Sequence, residues 1–150
     1  MRHGASAVIF SKNKILLFHR DNKPEIPFPN TWQLPGGQIE DGETPLEALR
    51  RELSEEVTYV PKHLIPIGYY ENISGNNYIY LAFINPDEER LFVHRPEEGQ
   101  EIGFFTLDEA ININLTPPLR WFIKNKRNEI EKLISTKKAS QPEMYEMKKI

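Results

Sequence analysis

The chain has 150 residues, 39% hydrophobic and 27% charged, a length suited to one domain with a buried core. Its formal net charge of −3 leaves no broad basic excess to neutralise phosphates, which argues against bulk nucleic-acid binding. It contains no cysteine, which excludes a disulfide framework, a thiolate zinc site and a cysteine nucleophile, and fits a cytoplasmic location.

Met1-Arg2-His3-Gly4 leads straight into a strand-like Ala5 to Phe10, so no secretory leader is expected. No apolar run approaches membrane-spanning length, and no membrane partner is expected. A second strand is predicted from Ile15 to His19, followed by a proline-rich loop from Arg20 to Asn30. Trp32-Gln33-Leu34-Pro35-Gly36-Gly37 then approaches a helix with a strong start signal. Thr44 suits the N-cap, Pro45 the first helical position, and Glu47 completes a capping box. At about 100° per residue, Leu46, Leu49, Leu53 and Val57 form one stripe facing the core, and the helix ends near Val57.

Strands are predicted near Ile65 to Glu71 and Tyr78 to Ile84, with Ser74-Gly75-Asn76-Asn77 as the turn between them, and near Ile102 to Phe105. A last helix runs from about Pro118 to Ile134, its Leu119, Phe122, Ile123, Ile130 and Leu133 recurring at helical spacing. Mixed strands with helices on either side place the chain in the α/β class and suggest an α/β/α sandwich. One domain is assigned to residues 1–134. The polar tail 135–150 lacks a continuous apolar face and is expected to be disordered or loosely docked; Met144, Tyr145 and Met147 could clip onto a partner. The sequence shows no internal repeat and carries no signal of oligomeric state.

The chemistry concentrates on the first helix. Glu52 lies one turn from both Glu55 and Glu56, and such a cluster of like charges destabilises a helix unless a cation offsets it. A solvated acidic face is the default meaning of such a run. Here the Gly-Gly turn, Glu43, Arg51 and the apolar stripe share its register, and hard oxygen donors without His or Cys favour magnesium, with manganese as substitute, over zinc.

As a pattern the segment reads Gly37, five residues, Glu43, seven residues, then Arg51-Glu52-Leu53-x-Glu55-Glu56, which resembles the signature of the Nudix hydrolases. The resemblance implies a Nudix-type α/β/α sandwich with a mixed sheet. It also implies that the Gly37 carbonyl and the carboxylates of Glu52, Glu55 and Glu56 hold the metals, while Glu43 and Arg51 brace loop and helix. Thr58 stands where the family usually has glycine. A β-branched residue takes the left-handed conformation only at a cost, so a different helix exit is expected.

A second acidic segment, Arg95-Pro96-Glu97-Glu98-Gly99-Gln100-Glu101, resembles the family loop that supplies one more carboxylate. Glu98 is its best match, as a metal ligand or as the base that activates water. Glu52, Glu55 and Glu98 are therefore the candidate catalytic residues. Arg20 matches a phosphate-binding arginine of family members that hydrolyse nucleoside triphosphates, although a strand-end arginine in solvent is an equal reading.

The short domain, the Leu-Pro-Gly-Gly approach and the Glu-Gly-Gln loop look most like the MutT-like branch. That branch cleaves nucleoside triphosphates, oxidised ones such as 8-oxo-dGTP included, to monophosphate and pyrophosphate. The small-molecule substrate is thus expected to be a nucleotide. Arg120 stands where an oxidised-guanine hydrolase offers an asparagine, with Asn112 or Asn114 as substitutes or as turn residues. Trp32, Phe28 and Tyr80 could stack on a base, though aromatics more often pack in a core. Two alternatives stand beside this one: hydrolysis of a nucleoside diphosphate linked to another group, such as ADP-ribose or a dinucleotide, and a catalytically silent nucleotide-binding module.

Overall fold

A computed structural model describes residues 2–72 and 75–137. Its elements in chain order are β1 (Gly4–Ser11), β2 (Lys14–His19), β3 (Trp32–Gln33), β4 (Gly36–Gln38), α1 (Pro45–Val57), β5 (Ile65–Asn72) and β6 (Gly75–Ile84). A 3-10 turn (Pro86–Leu91), β7 (Glu101–Thr106), α2 (Leu107–Ala110), α3 (Pro117–Asn125) and α4 (Arg127–Thr136) complete the fold.

The central strands alternate between two cores. Ala5, Ala7 and Ile9 of β1, Leu16 of β2 and Tyr80, Ala82 and Ile84 of β6 pack with Leu49, Leu53 and Val57 of α1. Their neighbours Val8, Phe10, Ile15, Leu17, Ile79 and Leu81 point the other way, onto Leu119, Phe122 and Ile123 of α3 and Ile130 and Leu133 of α4. Because successive side chains of a strand face opposite sides, these continuous apolar runs require a cover on both faces. The result is an α/β/α sandwich around a mixed sheet, with β1 and β6 parallel and the other pairings antiparallel.

The strand order is β3-β2-β1-β6-β5, with β4 on β1 and β7 on β2. β1 and β2 pair only beside their turn, Phe10 with Ile15 and Ser11 with Lys14, and then diverge. The gap is filled from both sides: β3 joins β2 through Phe18–Gln33, and β4 joins β1 through Ala5–Gly37. Pro35 lies between them, its carbonyl accepting from Ala7 N–H at 2.9 Å. The open end of this splayed hairpin is where the motif residues meet.

Several boundaries differ from those read in the sequence. Gly75, Asn76 and Asn77, expected in a turn, already belong to β6, and Ile73 and Ser74 lie outside the described residues. The last helix is two, α3 and α4, separated at Lys126 (φ −115°, ψ 22°). The apolar positions stay in phase across this break, so their spacing cannot register it. Ser135 and Thr136, assigned to the tail, continue α4; Met144, Tyr145 and Met147 lie outside the described residues. Leu46 is only partly buried, and Ala48 takes a place in the core beside Leu49. Among the described residues no helix is long and apolar enough to cross a membrane.

The capping box at Thr44 and Glu47 forms as expected, with both reciprocal bonds present. The helix exit departs from expectation. Thr58 adopts the left-handed conformation (φ 72°, ψ −29°) that glycine would take. Its hydroxyl donates to the Val93 carbonyl at 2.9 Å, and Val93 N–H donates to the Val57 carbonyl at 2.9 Å, tying the exit to the following segment. Left-handed geometry costs a non-glycine residue about 1–2 kcal/mol, and the hydroxyl bond offsets part of it. Thr58→Val keeps the strain without the bond and is expected to lower stability by about 0.5–1 kcal/mol. Thr58→Gly, which relieves the strain, should unfold in urea at the wild-type midpoint or above it; a lower midpoint would contradict this account.

Candidate active site

Gly36 and Gly37, expected in a turn, lie in β4, and their lack of side chains lets α1 press its acidic face against the sheet. A side chain on Gly37 would run into the Glu52 carboxylate, and one on Gly36 (φ 147°) into the backbone of β1. Gly36 N–H donates to Glu56 Oε1 at 2.8 Å, which satisfies a carboxylate only 6% exposed. Glu56, placed by its spacing beside the apolar stripe, is therefore a buried residue of the helix.

Arg51 ties the rest of the motif together. Its Nε donates to Glu43 Oε2 at 2.8 Å and its Nη2 to Glu43 Oε1 at 3.0 Å, a two-point clamp that also reaches the Gln38 carbonyl at 3.0 Å. Glu43 in turn accepts from Glu40 N–H at 2.9 Å. Hydrogen bonding to Arg51 holds the Glu43 carboxyl down to about 2. This is bracing geometry for the loop and helix. Arg51 Nη1 also reaches Glu52 at 2.9 Å and Glu55 at 3.4 Å, so the protein supplies part of the positive charge that the carboxylates need.

Glu52, Glu56, Glu98, Gly37 and Arg20 line one cavity of about 560 Å³ at the open end of the β1–β2 hairpin. Glu55 sits outside it, half exposed and turned to Arg51. The carboxyls of Glu52, Glu56 and Glu98 are all pushed up, by burial first. They also repel one another: Glu55 and Glu98 raise Glu52, Glu52 and Glu98 raise Glu56, and Glu55 raises Glu98. Burial outweighs the Arg51 bond at Glu52. Four interacting carboxylates near the Gly37 carbonyl form a hard-oxygen donor set that suits a divalent cation such as magnesium. Among the described residues no three of these side chains already close into a cage.

Arg20 is not a solvent-facing strand end. Its Nη1 donates to Gln33 Oε1 at 3.0 Å and its Nη2 to the Pro27 carbonyl at 2.6 Å, while Nε is buried with no partner. Burial lowers its pKa, and Glu56 and Asp21 pull it back up.

The Glu98 loop reaches the cavity through contacts that local sequence does not signal. Gly99 (φ 65°) sits where a side chain would strike the Phe18 ring and the His19 carbonyl. His94 Nε2 lies 2.9 Å from the Glu98 carbonyl and 3.1 Å from that of Gly99, and Gln100 N–H donates to the His19 carbonyl at 2.8 Å. Ser6, Tyr70 and Asn77 line the other limb of the cavity, where Asn77 Nδ2 donates to Ser6 Oγ at 3.2 Å.

The candidate base readers fall elsewhere. Arg120 donates to the carbonyls of Ile111 and Ile113, Asn112 to that of Asp108, and Asn114 to that of Asn30, so all three hold backbone. Tyr80 is core. Trp32 is buried and stacks on His19 at 4.4 Å, whereas Phe28 is 51% exposed on the loop before it.

Comparison with known proteins agrees with this fold. A curated RNA pyrophosphohydrolase of Rhizobium meliloti is 36% identical over 93 residues, covering 51% of this chain and 56% of that protein. A curated ADP-ribose pyrophosphatase of Methanocaldococcus jannaschii is 43% identical over 65 residues, 43% of this chain and 37% of that protein. The matched segments thus span about half or less of these relatives' length. The crystal structure of a MutT NUDIX hydrolase from Burkholderia pseudomallei superposes with a TM-score of 0.65 at 25% identity, covering 82% of this chain and 95% of that one. The NUDIX domain of Shewanella oneidensis NrtR, solved with ADP ribose, shares the fold with a TM-score of 0.69 at 21% identity, over 85% and 87% of the two chains. Residues 1–126 match the NUDIX domain model, and with the acidic helix, the Gly-Gly pair of β4 and the sandwich in place, the chain belongs to the Nudix family.

Proposed function

We propose that this protein is a metal-dependent pyrophosphohydrolase that converts a nucleoside triphosphate, oxidised ones included, to a monophosphate and pyrophosphate. The observation that carries this reading is the cavity in which Arg20 faces Glu52, Glu56 and Glu98. Glu52, Glu56 and the Gly37 carbonyl, with Glu55 and Glu98 at hand, would hold magnesium. Bound there, the metal supplies charge neutralisation of the diphosphate, Lewis-acid polarisation and a lowered pKa for water. Arg20 offers a buried Nε–H without an acceptor, and a phosphate oxygen would satisfy it with a charge-assisted bond. Glu98, with its proton affinity raised, aligns or deprotonates the attacking water. A second reading, hydrolysis of a nucleoside diphosphate linked to another group, has the ADP-ribose pyrophosphatase relative in its favour. The named RNA pyrophosphohydrolase relatives add triphosphorylated RNA ends to the substrates worth testing.

Glu56→Gln keeps the acceptor for Gly36 N–H and removes the charge. Turnover should need magnesium or manganese and should collapse in this variant, while the fold survives. The stability effect has a definite sign. A buried carboxyl raised above its ordinary pKa loses stability as pH rises from that ordinary value through the raised one. Without metal, the variant should therefore match or exceed wild-type stability at neutral pH, and the difference should close on acidification. Turnover in chelator, or an unchanged rate in the variant, would remove the metal site.

Glu98→Gln is expected to lower turnover by about 10²-fold or more with little change in thermal unfolding. Glu97, exposed on the same loop, is the matched control. Equal behaviour of Glu97→Gln and Glu98→Gln would show that the loop carboxylate is wrongly assigned.

The substrate reading is tested by specificity constants, with products resolved, for canonical and oxidised triphosphates, ADP-ribose, a dinucleoside polyphosphate, NADH and 5′-triphosphorylated RNA. The expected result is a triphosphate giving monophosphate plus pyrophosphate. Because Arg120, Asn112 and Asn114 are spent on backbone, preference for oxidised guanine over other purines should stay below about 10³-fold. Preference for ADP-ribose or a dinucleotide would select the second reading. Binding without turnover would indicate a silent module.

A further inference from the structure

Two pocket walls come from distant parts of the chain, the Arg20 side from the end of β2 and the Glu98 side from the loop before β7. Asn30 joins them. Its carboxamide oxygen lies 2.9 Å from His19 Nε2 and accepts from Gln100 Nε2 at 2.9 Å. Gln100 Nε2 also donates to the Arg20 carbonyl at 2.7 Å, and its backbone N–H donates to the His19 carbonyl at 2.8 Å. The same two-residue stretch that carries Arg20 is thus bonded to the residue two positions after Glu98.

The hub has a rigid floor. The His19 ring lies parallel to Trp32 (centroids 4.4 Å apart, planes 7° apart), and Trp32 meets Phe105 of β7 edge-on at 4.9 Å. Asn30 itself is held in the left-handed conformation (φ 59°), with its N–H donating to the Asp21 carbonyl at 2.9 Å. These side-chain bonds are exposed. Water replaces exposed hydrogen bonds readily, so they contribute little to stability, and what they fix is position.

We infer that Asn30, through His19 and Gln100, is the positioning residue that sets the Glu98 loop against Arg20 and so completes the reactive geometry. This rests on the hydrolase reading above, in which Glu98 acts on the attacking water. A misplacement of about 1 Å in a catalytic group can cost on the order of 10²-fold in rate. Loss of the hub is expected to act on turnover more than on substrate binding, because it loosens the loop and leaves the Arg20 bonds to Gln33 and Pro27 in place.

Asn30→Gly is the informative variant, since glycine keeps the left-handed backbone and removes only the carboxamide. Steady-state kinetics with dGTP and magnesium, or with ADP-ribose if the wild type prefers it, would be compared for wild type, Asn30→Gly, Glu98→Gln and the double variant. The expected result is a fall in kcat of about tenfold or more in Asn30→Gly, with KM within about threefold and the melting temperature near wild type. In the Glu98→Gln background the same change should cost nothing further, because the two residues act as one unit. Gln100→Ala, which removes the other arm, should reproduce the pattern if Asn30→Gly fails to fold. An unchanged kcat, or an equal loss in both backgrounds, would overturn the inference while leaving the hydrolase reading intact. An inactive wild type would instead sink the hydrolase reading and the inference with it.

Discussion

The site depends on how closely α1 can approach the sheet. Residues without bulk make the approach possible on both sides: Ala48 on the helix, Ala5 and Ala7 on β1, and the two glycines of β4, all in the contact layer. Leu49, Leu53 and Val57 then close the interface with no exposed surface. With the helix this near, Glu52 lies over Gly37 and Glu56 accepts from Gly36 N–H, so two carboxylates are brought out of water beside backbone that cannot retreat. A larger residue at Gly36 would meet the β1 backbone, which no side-chain rotation relieves, and one at Gly37 would push the Glu52 carboxylate out of its place.

Such packing runs against electrostatics. Burial raises the proton affinity of Glu52, Glu56 and Glu98, and acidic neighbours raise each of them further. The protein meets part of that cost with Arg51, clamped in two places by Glu43 and still able to touch Glu52 and Glu55. Carboxyls with raised proton affinity gathered in a cleft are a physical mark of a working site, because stability alone would favour apolar residues there. The same arithmetic explains why Glu43 and Arg51 belong to the pattern although neither lines the cavity.

The second wall follows from the diverging hairpin. Had β1 and β2 kept the register of Phe10 with Ile15 along their whole length, Arg20 would lie opposite Ala5, directly beside Gly4 and Ser6, and no space would remain between the strands. The divergence after Phe10–Ile15 leaves a wedge that β3 and β4 fill, and its mouth is the cavity. Non-glycine residues in left-handed geometry cluster on the loop beside it, at Phe28 and Asn30. Backbone held in that region persists only where surrounding bonds over-determine it, and those bonds are the ones that tie Asn30 to Asp21, His19 and Gln100.

Much of this was legible residue by residue. The helix start at Thr44, the apolar stripe of Leu49, Leu53 and Val57, and the spacing of Glu52, Glu55 and Glu56 are local facts, because helical geometry links sequence distance directly to position on a face. That is also why the Nudix resemblance could be read from one segment. What periodicity could not resolve was anything that depends on a partner far along the chain. The break at Lys126 is silent because the apolar phase continues through it. Thr58 takes a glycine's conformation because Val93, 35 residues away, accepts its hydroxyl proton. Glu55 and Glu56, adjacent in the chain, part company: one is turned out to Arg51, and the other is buried against Gly36. Arg20 and Glu98 share a cavity only through the splay of the hairpin and the bonds of Gln100. By itself the sequence determined which residues carry the charge and which helix presents it; tertiary structure decided which of those charges are desolvated and face one another, since burial and long-range hydrogen bonds depend on contacts that no local spacing encodes.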